Sequence, residues 1–192
     1  MPFDRWTTGR LVLRRPAPQD ADALFAIYSH PEVMRYWSRR PLATRDEAVT
    51  MIEGMVTGLA DGTWQSWAVT LHGDDTPIGV CSLFHIVAGC RRAEIGYILA
   101  RERWGGGYMT EALHSVIAHA FGPLGLRRLE ADADPRNAGS LRLLTRLGFV
   151  REGTLRARWE IEGEISDTAF YGLLEGDWQA ARTGDGSATS GR

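Results

Sequence analysis

Trp104-Gly105-Gly106-Gly107-Tyr108-Met109-Thr110-Glu111-Ala112 sets three consecutive glycines between the end of a β-rich segment and the start of an apolar helical stripe. Glycine lets a backbone turn sharply and approach a ligand closely, and a helix N-terminus favours an anion, so a pyrophosphate is a natural occupant. A bare strand-to-helix turn needs the same residues, and both readings stand at this point. Downstream, Ala112, Leu113, Val116, Ile117, Ala120 and Phe121 recur at helical spacing until Gly122-Pro123. Upstream, 67–71, 79–87 and 93–100 are rich in β-branched and aromatic residues, with a hairpin turn expected at Asp74-Asp75-Thr76-Pro77.

The pattern extends in both directions. A strand at 10–15 is ended by Pro16 and Pro18, and Asp20 can cap a helix carrying Ala23, Leu24, Ile27 and Tyr28. A second helix starts at the capping box Thr44/Glu47 and breaks at Asp61-Gly62. After the glycine turn and its helix come a strand at 126–131, a helix at 137–147 closed by Gly148, and strands from Phe149 through a Gly163 turn to 168–174. Strand, glycine turn, helix, strand predicts a mixed α/β (α+β) domain with at least one parallel crossover. Residues 1–182 read as one domain, and 183–192 as a disordered tail.

Composition excludes several chemistries. All 22 basic residues among 192 are arginine, so neither a lysine-dependent phosphate loop nor a lysine Schiff base is available. A net charge of −2 provides no field for nucleic acid. Cys81 and Cys90 are too few for a metal site and suit a reducing cytoplasm, and no apolar run reaches the length of a membrane span. The expectation is a cytoplasmic protein without metal, membrane or nucleic-acid partner.

A second motif, Asp134-Pro135-Arg136-Asn137-Ala138-Gly139-Ser140-Leu141-Arg142-Leu143-Leu144-Thr145-Arg146-Leu147-Gly148-Phe149, follows the glycine turn. Together the two resemble the GCN5-related N-acetyltransferase (GNAT) superfamily, and within it the ribosomal-protein N-terminal acetyltransferase-like (RimJ/RimL-type) branch. Arg10-Leu11-Val12-Leu13-Arg14, Ile78-Gly79, Ala93-Glu94-Ile95-Gly96-Tyr97 and Phe149-Val150-Arg151-Glu152-Gly153 add to the likeness, which spans about residues 8 to 178. The resemblance implies a central, mostly antiparallel sheet of about seven strands, flanked by helices, with one parallel crossover pair splayed at the cofactor.

It also implies an acetyl-CoA-dependent enzyme in which a primary amine attacks the thioester directly. Backbone N–H groups of the turn Trp104, Gly105, Gly106, Gly107, Tyr108 and Met109, running into Thr110, would hold the pyrophosphate. Trp104 and Met109 depart from the family's usual glutamine or arginine and its usual glycine or alanine. Ile98 and Leu99 match the strand that pairs with the pantetheine arm, and the Leu99 N–H is the implied oxyanion donor. Asn137 matches a pantetheine contact and equally reads as a helix N-cap. Many relatives carry a tyrosine acid where this chain has Leu144, and Ser140 is the hydroxyl offered instead, or else an ordinary helix-surface serine.

Glu130, Asp132 and Asp134 alternate along one strand face. Glu130 ranks first as a base because it matches a strand glutamate so used in some relatives, with Glu94 next. Glu160, Glu162 and Glu164 form a further row, and a solvated strand face is the plain reading of any such row. His85 lies near the end of a strand that could border the acceptor, and Trp37 and Trp159 fall in regions that line the acceptor cleft in relatives. Without lysine, CoA phosphates must meet backbone N–H groups and arginines, with Arg101, Arg103, Arg142 and Arg146 nearest. A protein or peptide α-amine is favoured as acceptor over an antibiotic, polyamine or amino acid. A non-catalytic CoA-binding module is the alternative of a different class. The branch commonly forms homodimers.

Overall fold

The computed structural model describes residues 5–60 and 62–184, the last four by backbone alone. Its strands are β1 (Arg5–Thr7), β2 (Leu11–Arg14), β3 (Gln65–Leu71), β4 (Asp74–Val87), β5 (Arg92–Leu99), β6 (Arg128–Ala133), β7 (Val150–Ile161) and β8 (Glu164–Leu174). The helices are α1 (Ala21–Tyr28), α2 (Pro31–Met34), α3 (Arg45–Ala60), α4 (Tyr108–Phe121), α5 (Ala138–Arg146) and α6 (Glu175–Gly184). Among the described residues these eight strands form one sheet in the order β1-β2-β3-β4-β5-β6-β8-β7. Neighbours run antiparallel except β5 and β6, which the α4 crossover makes parallel.

That parallel contact decides the architecture. β5 and β6 pair only through Arg92–Glu94 against Arg128–Glu130. Beyond it β5 stays bonded to β4, through Leu99 opposite Gly79, while β6 stays bonded to β8, through Ala133 opposite Ala169. The sheet therefore opens into two halves with a cleft between them.

Side chains alternate across the sheet, so each face has its own core. One contains Cys81, Leu83, Ala93 and Ile95 with the buried stripe of α4, Met109, Ala112, Leu113, Val116, Ile117, Ala120 and Phe121. The other joins Val80, Ile98 and Ala100 to Leu24, Ile27, Ile52 and Met55 of α1 and α3. At about 25 cal/mol per Å² of apolar area, these two layers supply most of the driving force for folding. Between β2 and α1, Arg14 grips Asp20 through two hydrogen bonds of 2.8 and 2.7 Å, the carboxylate being almost fully enclosed at 2% side-chain exposure.

Several expectations need correction. The β3–β4 hairpin turns at His72-Gly73, where Leu71 faces Asp74 and Gly73 supplies a left-handed φ of 81°. Asp74 to Pro77 belong to β4, and a register shift between Val69 and Leu71 accommodates the proline. Eight strands replace about seven because the three-residue β1 is too short to show a period. α2 and α6 were likewise not expected, and α6 is docked by Trp178, 5.2 Å from the His114 ring. Positions 183–184 of the expected tail lie in α6, and the rest falls outside the described residues.

Candidate active site

The glycine turn sits at the mouth of the cleft, and each glycine has its own reason to be there. Gly105 and Gly107 take left-handed φ values of 77° and 74°, which a side chain disfavours. At Gly106 a Cβ would lie 2.7 Å from the Tyr108 ring. Gly107 caps α4 without any side-chain hydrogen bond, and the first helical bond is from the Glu111 N–H to the Gly107 carbonyl at 3.1 Å. The N–H groups of Tyr108, Met109 and Thr110 therefore have no acceptor within the helix. Such an end of a 14-residue helix could hold an anion.

Arg10 braces this turn from the far end of the sheet. Its Nη1 donates to the Gly106 carbonyl (2.9 Å), its Nε to Glu111 (2.7 Å), and its guanidinium lies 4.5 Å from the Tyr108 ring centre. Burial opposes charge on Glu111, but hydrogen bonds from Thr8 and Arg10 outweigh it and hold the carboxyl below its ordinary range. The two departures from the family turn also have an explanation here. Met109 points its side chain into the core, 3.3 Å from the Cys81 sulfur, and so offers the cleft its backbone. Trp104 turns its indole N–H onto the Leu99 carbonyl (2.9 Å), tying the turn to the end of β5.

The open edge of β5 can be read from hydrogen-bond alternation. The Ala100 N–H donates to the Ile78 carbonyl at 2.8 Å, towards β4. Both polar groups of a residue in an antiparallel strand point to the same neighbour, and successive residues point to opposite sides. Ile98 therefore bonds to β4, and its carbonyl comes within 2.4 Å of where a Cβ on Gly79 would stand. Leu99 and Tyr97 instead direct their N–H groups to the edge that β6 has left. Ile98 contributes a buried side chain, and Leu99 contributes the free donor.

On the opposite wall, Asn137 is the N-cap of α5, accepting from the Ser140 N–H at 3.1 Å, and its side chain also lines the cleft. Ser140 faces the same space, with its hydroxyl 2.7 Å from the Tyr97 hydroxyl. Leu144 is 1% exposed, packed in the core, so this helix position carries no side chain to the cleft. The cavity so enclosed measures about 700 Å³. Its lining includes the aromatic residues Tyr28, Tyr36, Trp37, Trp64, Phe84 and Trp159, among them both tryptophans expected there. Of the four arginines, Arg142 and Arg146 border the cavity, whereas Arg101 pairs with Glu32 at 2.8 Å.

The carboxylates separate by environment. Glu130 is not among the cavity residues: Arg92 (2.7 Å) and Arg128 (2.8 Å) hold both its oxygens at the closed end of the β5–β6 pair, which removes it from the position of a free base. Asp134 lines the cavity but is clamped by Arg136, which overcomes burial and holds its carboxyl below the ordinary range. Glu94 faces His85 at 2.9 Å. Asp132 lines the cavity and has no arginine ion pair among the described residues. Asp132 keeps exposed surface, but the protein packed around the cleft wall limits hydration of its carboxyl, so desolvation first and the charge of Glu94 second push it up, against a Trp159 side-chain hydrogen bond and Arg158. Glu160 and Glu162 lie outside the cavity residues, and Glu164 pairs with Arg136.

No histidine of the described residues borders the cavity. Cys81 is buried and its thiol is pushed up by desolvation, so it is no thiolate nucleophile. Among the described residues no group of three or more His, Cys, Asp or Glu could hold a metal, and no helix is long and apolar enough to cross a membrane. Sequence reasoning missed Tyr97 and Arg10 as parts of the site and ranked Asp132 behind Glu130. The motif around Tyr97 marked its strand but not its partner, which lies 43 positions away.

The family model of the acetyltransferase (GNAT) domain matches residues 10–150. Over 172 residues the chain is 36% identical to p20, an uncharacterized N-acetyltransferase of Bacillus licheniformis, covering 89% of this chain and 96% of that one. It is 29% identical over 191 residues to the [ribosomal protein uS5]-alanine N-acetyltransferase of Escherichia coli K12, covering 95% and 96%. The fold matches a crystal structure from T. thermophilus, assigned as an acetyltransferase, with a TM-score of 0.82, 28% identity and 99% coverage of each chain.

Proposed function

As this chain belongs to the GNAT family of acetyl-CoA-dependent N-acetyltransferases, we propose that its acceptor is the N-terminal α-amine of a protein or peptide. The observation that carries the proposal is the character of the cleft's free base. Asp132, a carboxylate raised by partial desolvation and by the charge of Glu94, is the weak base the cavity offers as proton acceptor. At pH 7 an α-ammonium costs about 1.1 kcal/mol to deprotonate, whereas a side-chain ammonium costs about 4.6 kcal/mol. A weak base suffices for the first and is poorly matched to the second. The name of the E. coli relative, an alanine N-acetyltransferase of a ribosomal protein, points the same way.

In this reading the backbone donors from Gly105 to Thr110 hold the pyrophosphate, and Arg142 and Arg146 meet the remaining phosphate charge. The Leu99 N–H stabilises the oxygen of the tetrahedral intermediate, where one fixed donor is worth about a hundredfold in rate or more. Asp132 accepts the amine proton directly or through a water. Ser140 hydrogen-bonds the departing sulfur. Attack is direct, since the buried thiol of Cys81 is sealed in the core and Cys90 is outside the cavity.

Thiol release from acetyl-CoA tests the assignment, using a peptide with a free N-terminal alanine beside a polyamine, a free amino acid and an aminoglycoside. The peptide is expected to have the highest kcat/KM. Turnover of a small amine with none of the peptide would overturn the acceptor assignment.

A further inference from the structure

We propose that Tyr97 is a positioning residue for acetyl transfer: it donates a hydrogen bond to Ser140 Oγ and so leaves the serine proton facing the departing sulfur. The inference rests on the reading of Ser140 given above. Two hydroxyls 2.7 Å apart share one proton between them, and the other proton remains free. A phenol is the stronger donor of the two. Tyr97 is packed against the core of its sheet face, where desolvation pushes its phenol up and keeps it protonated. The serine, partly buried at the first turn of α5, carries its hydroxyl on a single rotatable side-chain bond and turns to suit the donor.

The two elements that meet here are independent. Tyr97 comes from β5, two residues before the Leu99 donor, and Ser140 comes from α5, whose first turn is held by the Asn137 cap at 3.1 Å. Both side chains line the cleft where β5 and β6 separate. Without Tyr97 the serine hydroxyl could rotate among three staggered positions, and only one of them serves the sulfur. No other side-chain hydroxyl hydrogen-bonds Ser140 among the described residues.

A kinetic double-mutant cycle on the full chain tests this with thiol release, using Y97F, S140A and the double variant. Y97F keeps the ring and removes only the hydroxyl. It is expected to lower kcat about tenfold while the KM for acetyl-CoA stays within twofold. In the S140A background the same change is expected to do nothing further, because the group through which Tyr97 acts is already gone. With an acetyl thioester of an acidic aryl thiol, whose leaving group needs no hydrogen bond, both single deficits should shrink to within about threefold. Multiplicative losses in the double variant, which is also the signature of a general structural role, overturn the inference, as does an unchanged rate for Y97F beside an impaired S140A. Full activity in S140A overturns the role of Ser140 itself, a distinguishable failure.

Discussion

Replacing Asp132 by asparagine would preserve the shape of the cleft wall and remove the carboxylate that lines it without an arginine partner. The size of the loss can be worked from the chemistry it serves. A positioned base contributes about 100- to 10,000-fold. With an α-amine of pKa near 7.8, about one molecule in seven is already neutral at pH 7. Deprotonating the free amine is therefore worth at most about sevenfold, and the remainder comes from removing the proton of the attacked intermediate. The lower end of the range applies, a fall in kcat/KM of about 100-fold at pH 7. Raising the pH to 9 makes nearly all of the amine neutral, so D132N should recover about sevenfold relative to its own value at pH 7. A lysine side-chain acceptor, neutral in about one molecule in 2,500 at pH 7, should be turned over by D132N about 350-fold less well than the α-amine. The assay is thiol release with an N-terminal alanine peptide between pH 6 and 9, with E130Q as the control. Because Arg92 and Arg128 hold Glu130 outside the cavity, E130Q should stay within about threefold of the parent in kcat/KM. A D132N variant within threefold of the parent at every pH, or a larger loss from E130Q, would refute the reasoning.

Three further outcomes follow from the same geometry. Gly107→Ala imposes a side chain on a φ of 74°, a strain of about 1–2 kcal/mol, so the KM for acetyl-CoA should rise about tenfold at nearly constant kcat; titration by calorimetry showing unchanged affinity would count against the turn as the anion site. Asp20→Asn leaves the Arg14 guanidinium, 10% exposed, with the surface carboxylate of Asp75 as its one anionic partner among the described residues. The expected loss is about 3 kcal/mol, seen as a melting point lower by about 6–12 °C, and a shift under 2 °C would contradict it. His119 is pushed down to about 4 from an ordinary 6.5, chiefly by burial, so the unfolded chain binds a proton that the folded chain refuses. Stability from this site is complete above pH 6.5 and is lost as the pH falls towards 4, by up to about 3 kcal/mol, and His119→Phe should flatten that part of the denaturant-unfolding profile. Parallel profiles for the two proteins would dismiss the effect.

Much of this protein was legible before any coordinates. Local signals carried it: the α4 stripe from Ala112 to Phe121 is buried as its spacing requires, and the glycines of 105–107 mark a left-handed turn that few other residues adopt. Asn137 caps α5 as read and also lines the cleft, so its two readings are compatible. The absence of lysine also acquires structural meaning, because every ion pair of the described residues that uses a long basic side chain, from Arg10 under the glycine turn to Arg136 on Asp134, is made by arginine.

What the chain could not reveal by pattern was which alternating carboxylate would be free. Glu130 and Asp132 are two residues apart on the same strand and identical in periodicity, yet one is gripped by Arg92 and Arg128 and the other opens into the cleft. The difference arises where β5 and β6 part after Glu94 and Glu130, a boundary set by how the two halves of the sheet pack. The meeting of Tyr97 with Ser140 has the same origin. Sequence by itself marked most of the elements, the glycine turn and the family, because helical stripes, glycine turns and caps depend on neighbours a few residues away. The tertiary structure alone decided which carboxylate escapes the arginines and which hydroxyl meets the serine, because charge, burial and hydroxyl contacts are set by residues distant in the chain and adjacent in space.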